Sequence, residues 1–237
     1  SMRRYMMVEG VQIQFEAIPS FLGLPVGDLE DLSPGNIAIC GYFCDNLDRP
    51  DPGQRYLARQ MRYFSRRSPS MRLPVTEALD LGDVNVFPLE PDKHLDAILL
   101  QCQRVLKTGA RLVLVGGDAS GLQALQAAAQ AHLGTDVPIA PVTNSVQAEA
   151  VSPDQPVVLS VDLQALSPLL LSRPKRLSGH TPAELIARIK AASGEAVAAA
   201  VFGLAPALDG RGRREVEAAQ AVLQAVVERL QTGGGAT

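Results

Sequence analysis

The stretch LVLVGGDAS, residues 112–120, decides how this chain is read. Leu112–Val115 is a continuous apolar run, the pattern of a strand covered on both faces. Gly116-Gly117 then permits a tight turn, and an Ala-, Leu- and Gln-rich helical pattern follows over 121–132. Strand, glycine turn and helix make a βα unit, and ligands of open α/β sheets sit beyond the carboxyl ends of the strands. Asp118, Ala119 and Ser120 therefore stand where a site would form. The stretch VVLSVDLQALSP, residues 157–168, repeats the form: an apolar strand delivers Asp162, with Gln164 and Ser167 in the turn behind it.

Working outward, Asn36–Phe43 predicts a short apolar strand, followed by the polar loop CDNLDRPDPG with Asp45, Asp48 and Asp51 as a candidate pocket rim. Residues 54–65 have helical spacing, and a weaker strand is expected over 81–87, introduced by Asp80. An amphipathic helix follows over 94–106, closed by Lys107 and Gly109. Val137–Val142 reads as a short strand broken by prolines, and 143–154 as irregular. Thr181-Pro182-Ala183-Glu184 combines an N-cap threonine, an N1 proline and an N3 glutamate, so a capped helix starts there. A last strand over 196–202 and a last helix over 215–230 complete the order. Residues 1–35 read as an irregular lead-in and 232–237 as a loose tail. Strands alternating with helices predict a three-layer α/β/α domain around a mostly parallel sheet, one domain over 1–237.

With 46% hydrophobic and 20% charged residues, the chain can bury a full core. Its net charge of −3 gives no basic face for nucleic acid. The arginine groups at 62, 66, 67 and at 211, 213, 214 read as solvated faces or loops. No apolar run is long enough for a membrane span, and no signal peptide is legible in MRRYMMVEGVQIQF. Three scattered cysteines make no disulfide framework, so a reduced, cytoplasmic setting is expected. Cys40 and Cys44 read as a buried structural thiol and a turn residue, with a metal pair as the alternative.

Four chemistries compete for the strand ends. GGDAS lacks the glycine spacing of a dinucleotide site and the Lys-Ser/Thr of a P-loop, and Asp118 would repel a phosphate. Asp118 and Asp162 suggest a metal pair, but a cation needs more converging ligands than two lone aspartates provide. The plainer reading is that each aspartate ties down a turn or helix start through backbone N–H groups. Ser120 and Ser160 have no evident base and no G-x-S-x-G context. His94 and His132 read as surface or helix-end residues. His180, just before the capping box, reads as structural although nearer to the strand ends.

These motifs, in this order, resemble the ureohydrolase superfamily of arginase, agmatinase, guanidinobutyrase and formimidoylglutamase. The resemblance runs through FLGLP, IAICGYFCD, DPGQRYLARQMRYFS with Gly53 and Arg62 in register, LGDV, VLVGGDAS, LSVDLQALSP, SGHTPAEL and FGLAPALDG. It implies an arginase-like fold, trimeric or hexameric assembly, and two manganese ions activating a bridging water to attack a guanidinium carbon. The same resemblance marks what is missing. Ala119 stands where the family has a histidine ligand, and Gln164 and Ser167 where it has aspartates. Gly203 stands at the guanidinium-binding glutamate. The Asp-x-His-x-Asp motif is absent from 137–151, and the interval between GGDAS and SVD is short. Of six expected ligands only Asp162 persists.

The resemblance thus implies the fold and argues against the activity. The expected protein is a non-catalytic binding or regulatory subunit without manganese. It would be homo-oligomeric or paired with an active paralogue, with Asp118, Asp162, Gln164 and His180 lining a vestigial pocket. The alternative is a divergent hydrolase of a guanidino or amidine C–N bond, working through a reshaped pocket with altered residues, and manganese belongs only to that alternative.

Overall fold

A computed structural model describes residues 6–8, 11–13, 19–42, 53–67, 77–84, 90–142, 151–207 and 212–232. Six strands form one parallel sheet: β3 (Ile37–Tyr42), β4 (Ala78–Asp83), β5 (Arg111–Gly116), β6 (Ile139–Pro141), β7 (Pro156–Asp162) and β8 (Glu195–Phe202). Their spatial order is β4-β3-β5-β8-β7-β6. The chain fills one half outward from β3, then crosses to the far edge and returns inward to β8. The β5–β8 seam is therefore where the two halves meet.

Side-chain alternation sorts the five helices onto two faces. Ala38, Cys40, Leu112, Leu114, Ala198 and Ala200 point to the face covered by α2 (Pro91–Lys107) and α3 (Ser120–Leu133). Ile37, Ile39, Val113, Val115, Ala199 and Val201 point to the opposite face. That face carries α1 (Leu57–Arg67), α4 (Pro182–Ala191) and α5 (Arg213–Thr232). This is the expected α/β/α sandwich. The Thr181 hydroxyl accepts from Glu184 N and Glu184 accepts from Thr181 N, so α4 begins with the predicted capping box. These bonds hold the Glu184 carboxyl below its usual pKa.

Three expectations change. The lead-in is not wholly irregular: β1 (Met6–Val8) and β2 (Val11–Ile13) pair antiparallel, and two 3-10 turns follow. The strand expected over 81–87 starts at Ala78 and ends at Asp83, while 85–87 lie outside the described residues. Asp80, expected to introduce the strand, sits inside β4 and is 1% exposed. The reason is Arg62, whose position in a charged cluster suggested a solvated helix face. Its guanidinium instead meets Asp80 bidentately at 2.8 and 2.9 Å and also reaches Asp83. Asp80 further accepts from Phe21 N and Gly82 N, and the Phe21 ring lies 4.1 Å from the Arg62 guanidinium carbon. Burial opposes the Arg62 charge, but the two carboxylates outweigh it and raise the pKa.

This cluster ties α1, β4 and the lead-in to one another. It also fixes Gly41 on β3, where an added Cβ would lie 2.1 Å from Asp83 Oδ1. Truncating one partner leaves a carboxylate buried without its countercharge. Arg62→Leu is expected to lower the unfolding free energy in urea by about 3 kcal/mol or more. A loss below about 1 kcal/mol, the range of an exposed pair, would contradict the role given to Arg62.

Candidate functional site

The carboxyl ends of β5, β7 and β8 bring Gly117-Asp118, Asp162 and Gly203 to one edge, and Gly203 N donates to Gly117 O across the β5–β8 seam at 2.9 Å. Both aspartates shape their own turns. Asp118 Oδ1 accepts from Ser120 N and from the Ser120 hydroxyl, which starts α3. Tyr42, fully buried at the end of β3, donates its hydroxyl to Asp118 O. Asp162 Oδ1 accepts from Gln164 N at 2.9 Å. These are the Asx-type i to i+2 bonds of the plainer reading.

Asp162 has a second partner that the sequence did not announce. Its Oδ2 meets the Arg176 guanidinium at 2.9 Å. Gln164, 5% exposed, donates its amide to Gly203 O and Arg173 O and accepts from Lys175 N. One glutamine thereby ties the end of β8 to the segment after β7. That segment loops out and returns where Leu166 bridges His180: Ser167 N donates to His180 O and His180 N to Ala165 O. Gly203 adopts φ +102°, and a Cβ there would lie 2.4 Å from Asp162 Oδ1. A larger side chain fits at 203 only if this edge rearranges.

The histidines fall differently from expectation. His132 is exposed at the end of α3, as expected. His180 is half-buried, with Nδ1 3.9 Å from Glu184 and Nε2 buried without a partner. Among the described residues it makes no hydrogen bond to Asp118 or Asp162. His94 is not a surface residue: it is 2% exposed, and both ring nitrogens are buried without partners. It lies in the first turns of α2, within electrostatic reach of Asp118. Helical spacing alone marked the face of Leu95, Ile98 and Cys102 and could not reveal a contact made through another strand end. Cys40 is buried and free, and burial pushes its thiol up to about 12; Cys44 and the loop with Asp45, Asp48 and Asp51 lie outside the described residues.

Beside this edge lies an open cavity of about 700 Å³. Its walls come from the segments after β3, β7 and β8 and from the first turn of α5, and they include Arg55, Arg173 and Arg214. Glu215, 1% exposed, braces these walls from beneath by accepting from Ser172 N, the Ser172 hydroxyl and Ala207 N.

The profile of the arginase family matches residues 35–142, from just before β3 through β6. The fold is similar to that of a hypothetical agmatinase from Burkholderia thailandensis, with TM-score 0.75 and 16% identity, covering 94% of this chain and 93% of that one. It is similar to proclavaminate amidino hydrolase from Streptomyces clavuligerus, with TM-score 0.73, 15% identity and coverages of 92% and 98%. Formimidoylglutamase from Bacillus subtilis subsp. subtilis str. 168 follows, with TM-score 0.70, 14% identity and 96% of both chains covered. This chain has the ureohydrolase fold. No curated protein sequence matches it.

The manganese pair implied by that superfamily does not fit the residues of this edge. Ala119 offers no donor atom, and Gln164 points its amide N–H groups at carbonyls rather than at a cation. Each Asp162 oxygen already accepts a hydrogen bond, one of them from a guanidinium whose charge repels a metal ion. Among the described residues, no three His, Cys, Asp or Glu side chains converge as metal ligands would. No helix among them is long and apolar enough to cross a membrane.

The buried imidazole gives a pH test. Burial lowers the His94 pKa, and the nearby charge of Asp118 only partly offsets this. The folded chain therefore resists protonation where an unfolded histidine, with pKa about 6.5, already accepts a proton. Stability is full above that pH and falls as pH drops below it. In urea denaturation between pH 7.5 and 5.5, His94→Leu is expected to flatten this decline. An unchanged decline would place the sensitivity elsewhere.

Proposed function

We propose that this chain is an arginase-fold protein that works without a binuclear metal centre, as a binding or regulatory subunit. The carrying observation is the state of Asp162: its carboxylate is held by Gln164 N and the Arg176 guanidinium, with Gly203 packed against it. A hydrolytic centre needs a water whose pKa is lowered by metal and whose charge is balanced by several ligands. This edge instead balances its one persisting ligand with an arginine. The protein acts through its surface, in a homo-oligomer or beside an active paralogue.

The rival, a divergent hydrolase of guanidino or amidine C–N bonds, draws support from the relatives' printed activities and from the open cavity beside the strand ends.

A urea-release assay with arginine, agmatine and guanidinobutyrate, run with added manganese, separates the two. The proposal expects no release above the uncatalysed background, alone or at any protein concentration. Turnover that disappears in Asp162→Ala, with the fold retained, would establish the hydrolase instead.

A further inference from the structure

We infer that residues 167–179 form a strap that opens from the carboxyl edge as one unit, with the Asp162–Arg176 ion pair as its catch. Closed, the strap pairs the Asp162 carboxylate with Arg176 and the Gln164 carbonyl oxygen with Lys175 N. Open, it bares both groups at the end of β7 and so controls access to that edge. This rests on the reading of Asp162 given above, but its test measures motion rather than turnover, so the two can fail separately.

The strap leaves the sheet and returns at a narrow neck. Leu166 and His180 bridge there, with Ser167 N donating to His180 O at 2.7 Å and His180 N to Ala165 O at 2.8 Å. Gly179 packs into this neck without a side chain, since a Cβ would lie 2.3 Å from Leu166 O. Ends this close make an Ω-type loop, which can move about its neck without disturbing the elements it joins. Pro168 and Pro174 each fix a backbone φ and stiffen the segment that has to move together.

Beyond the neck the strap is anchored by polar contacts. Lys175 N donates to Gln164 Oε1 at 2.8 Å, and Arg173 O accepts from Gln164 Nε2. Ser172 donates from N and from Oγ to Glu215, at 2.8 and 2.7 Å. Leu171 is the one buried residue of the strap. Leu169 and Leu177 are 93% and 103% exposed, so opening takes neither of them out of a core. Contacts that water can replace, with little apolar burial behind them, put a segment at the low-stability end of a fold. The catch itself is partly exposed, 35% at Arg176 and 23% at Asp162, so dissolved salt weakens it.

Amide hydrogen exchange of the protein, followed residue by residue by NMR at neutral pH, tests this. Exchange of a bonded amide tracks the population of the open form. Ser172 and Lys175 report the strap, Ser167 and His180 the neck, and Val158 the strand β7. Raising salt from about 0.05 M to about 0.5 M is expected to speed Ser172 and Lys175 together, by about twofold or more. Arg176→Gln should speed both by about threefold at low salt and abolish the salt effect, with Ser167, His180 and Val158 unchanged. The inference is overturned if neither strap amide responds to salt or to Arg176→Gln, if Lys175 responds without Ser172, or if the neck and β7 amides speed up equally.

Discussion

The ion pair between Asp162 and Arg176 is the interaction around which the carboxyl edge of this protein is arranged. It joins the end of β7 to the segment that follows, at 2.9 Å and half withdrawn from water. In an open α/β fold this edge is where a ligand's charge is usually met. Here a guanidinium from the same chain meets the carboxylate. The Gln164 amide then bonds the adjacent carbonyls of Gly203 and Arg173, and the glycine at 203 leaves room for the carboxylate. The edge is satisfied by the protein's own donors.

The rest of the fold makes this closure possible. Buried parallel strands need both faces covered, and the alanines of β8 let helices approach closely from either side. With the seam between β5 and β8 fixed by packing, Gly117 and Gly203 come within hydrogen-bonding distance without a ligand between them. The Arg62–Asp80 cluster performs the equivalent task at the β3–β4 end, holding a charged residue inside a strand by an arginine from α1.

What could be read from sequence follows the range of the interactions. Leu112–Val115, Val157–Val161 and the Thr181–Glu184 capping box are local patterns, and the structure carries all three as expected. Asp118 and Asp162 also make the local turn bonds foreseen for them. Asp80 was misplaced because its partner lies 18 residues away on a helix. Arg176 gave no signal at all: it lies 14 positions beyond Asp162, past a 3-10 turn and an irregular segment, and no periodicity links the two. His94 failed for the same reason, since its burial depends on what packs over the start of α2 rather than on the helix's own spacing. Charged and polar residues whose partners are distant in sequence are where single-sequence reading stops.

The proposal that this protein works without a metal pair rests on the Asp162–Arg176 ion pair, and manganese itself tests it most directly. Free manganese(II) gives a paramagnetic resonance signal that is lost on protein binding. In a titration of the protein at neutral pH, the account predicts a signal that rises in proportion to added metal, as in buffer. A signal suppressed until two equivalents per chain have been added would contradict it, and would mean that Arg176 yields Asp162 to a metal centre.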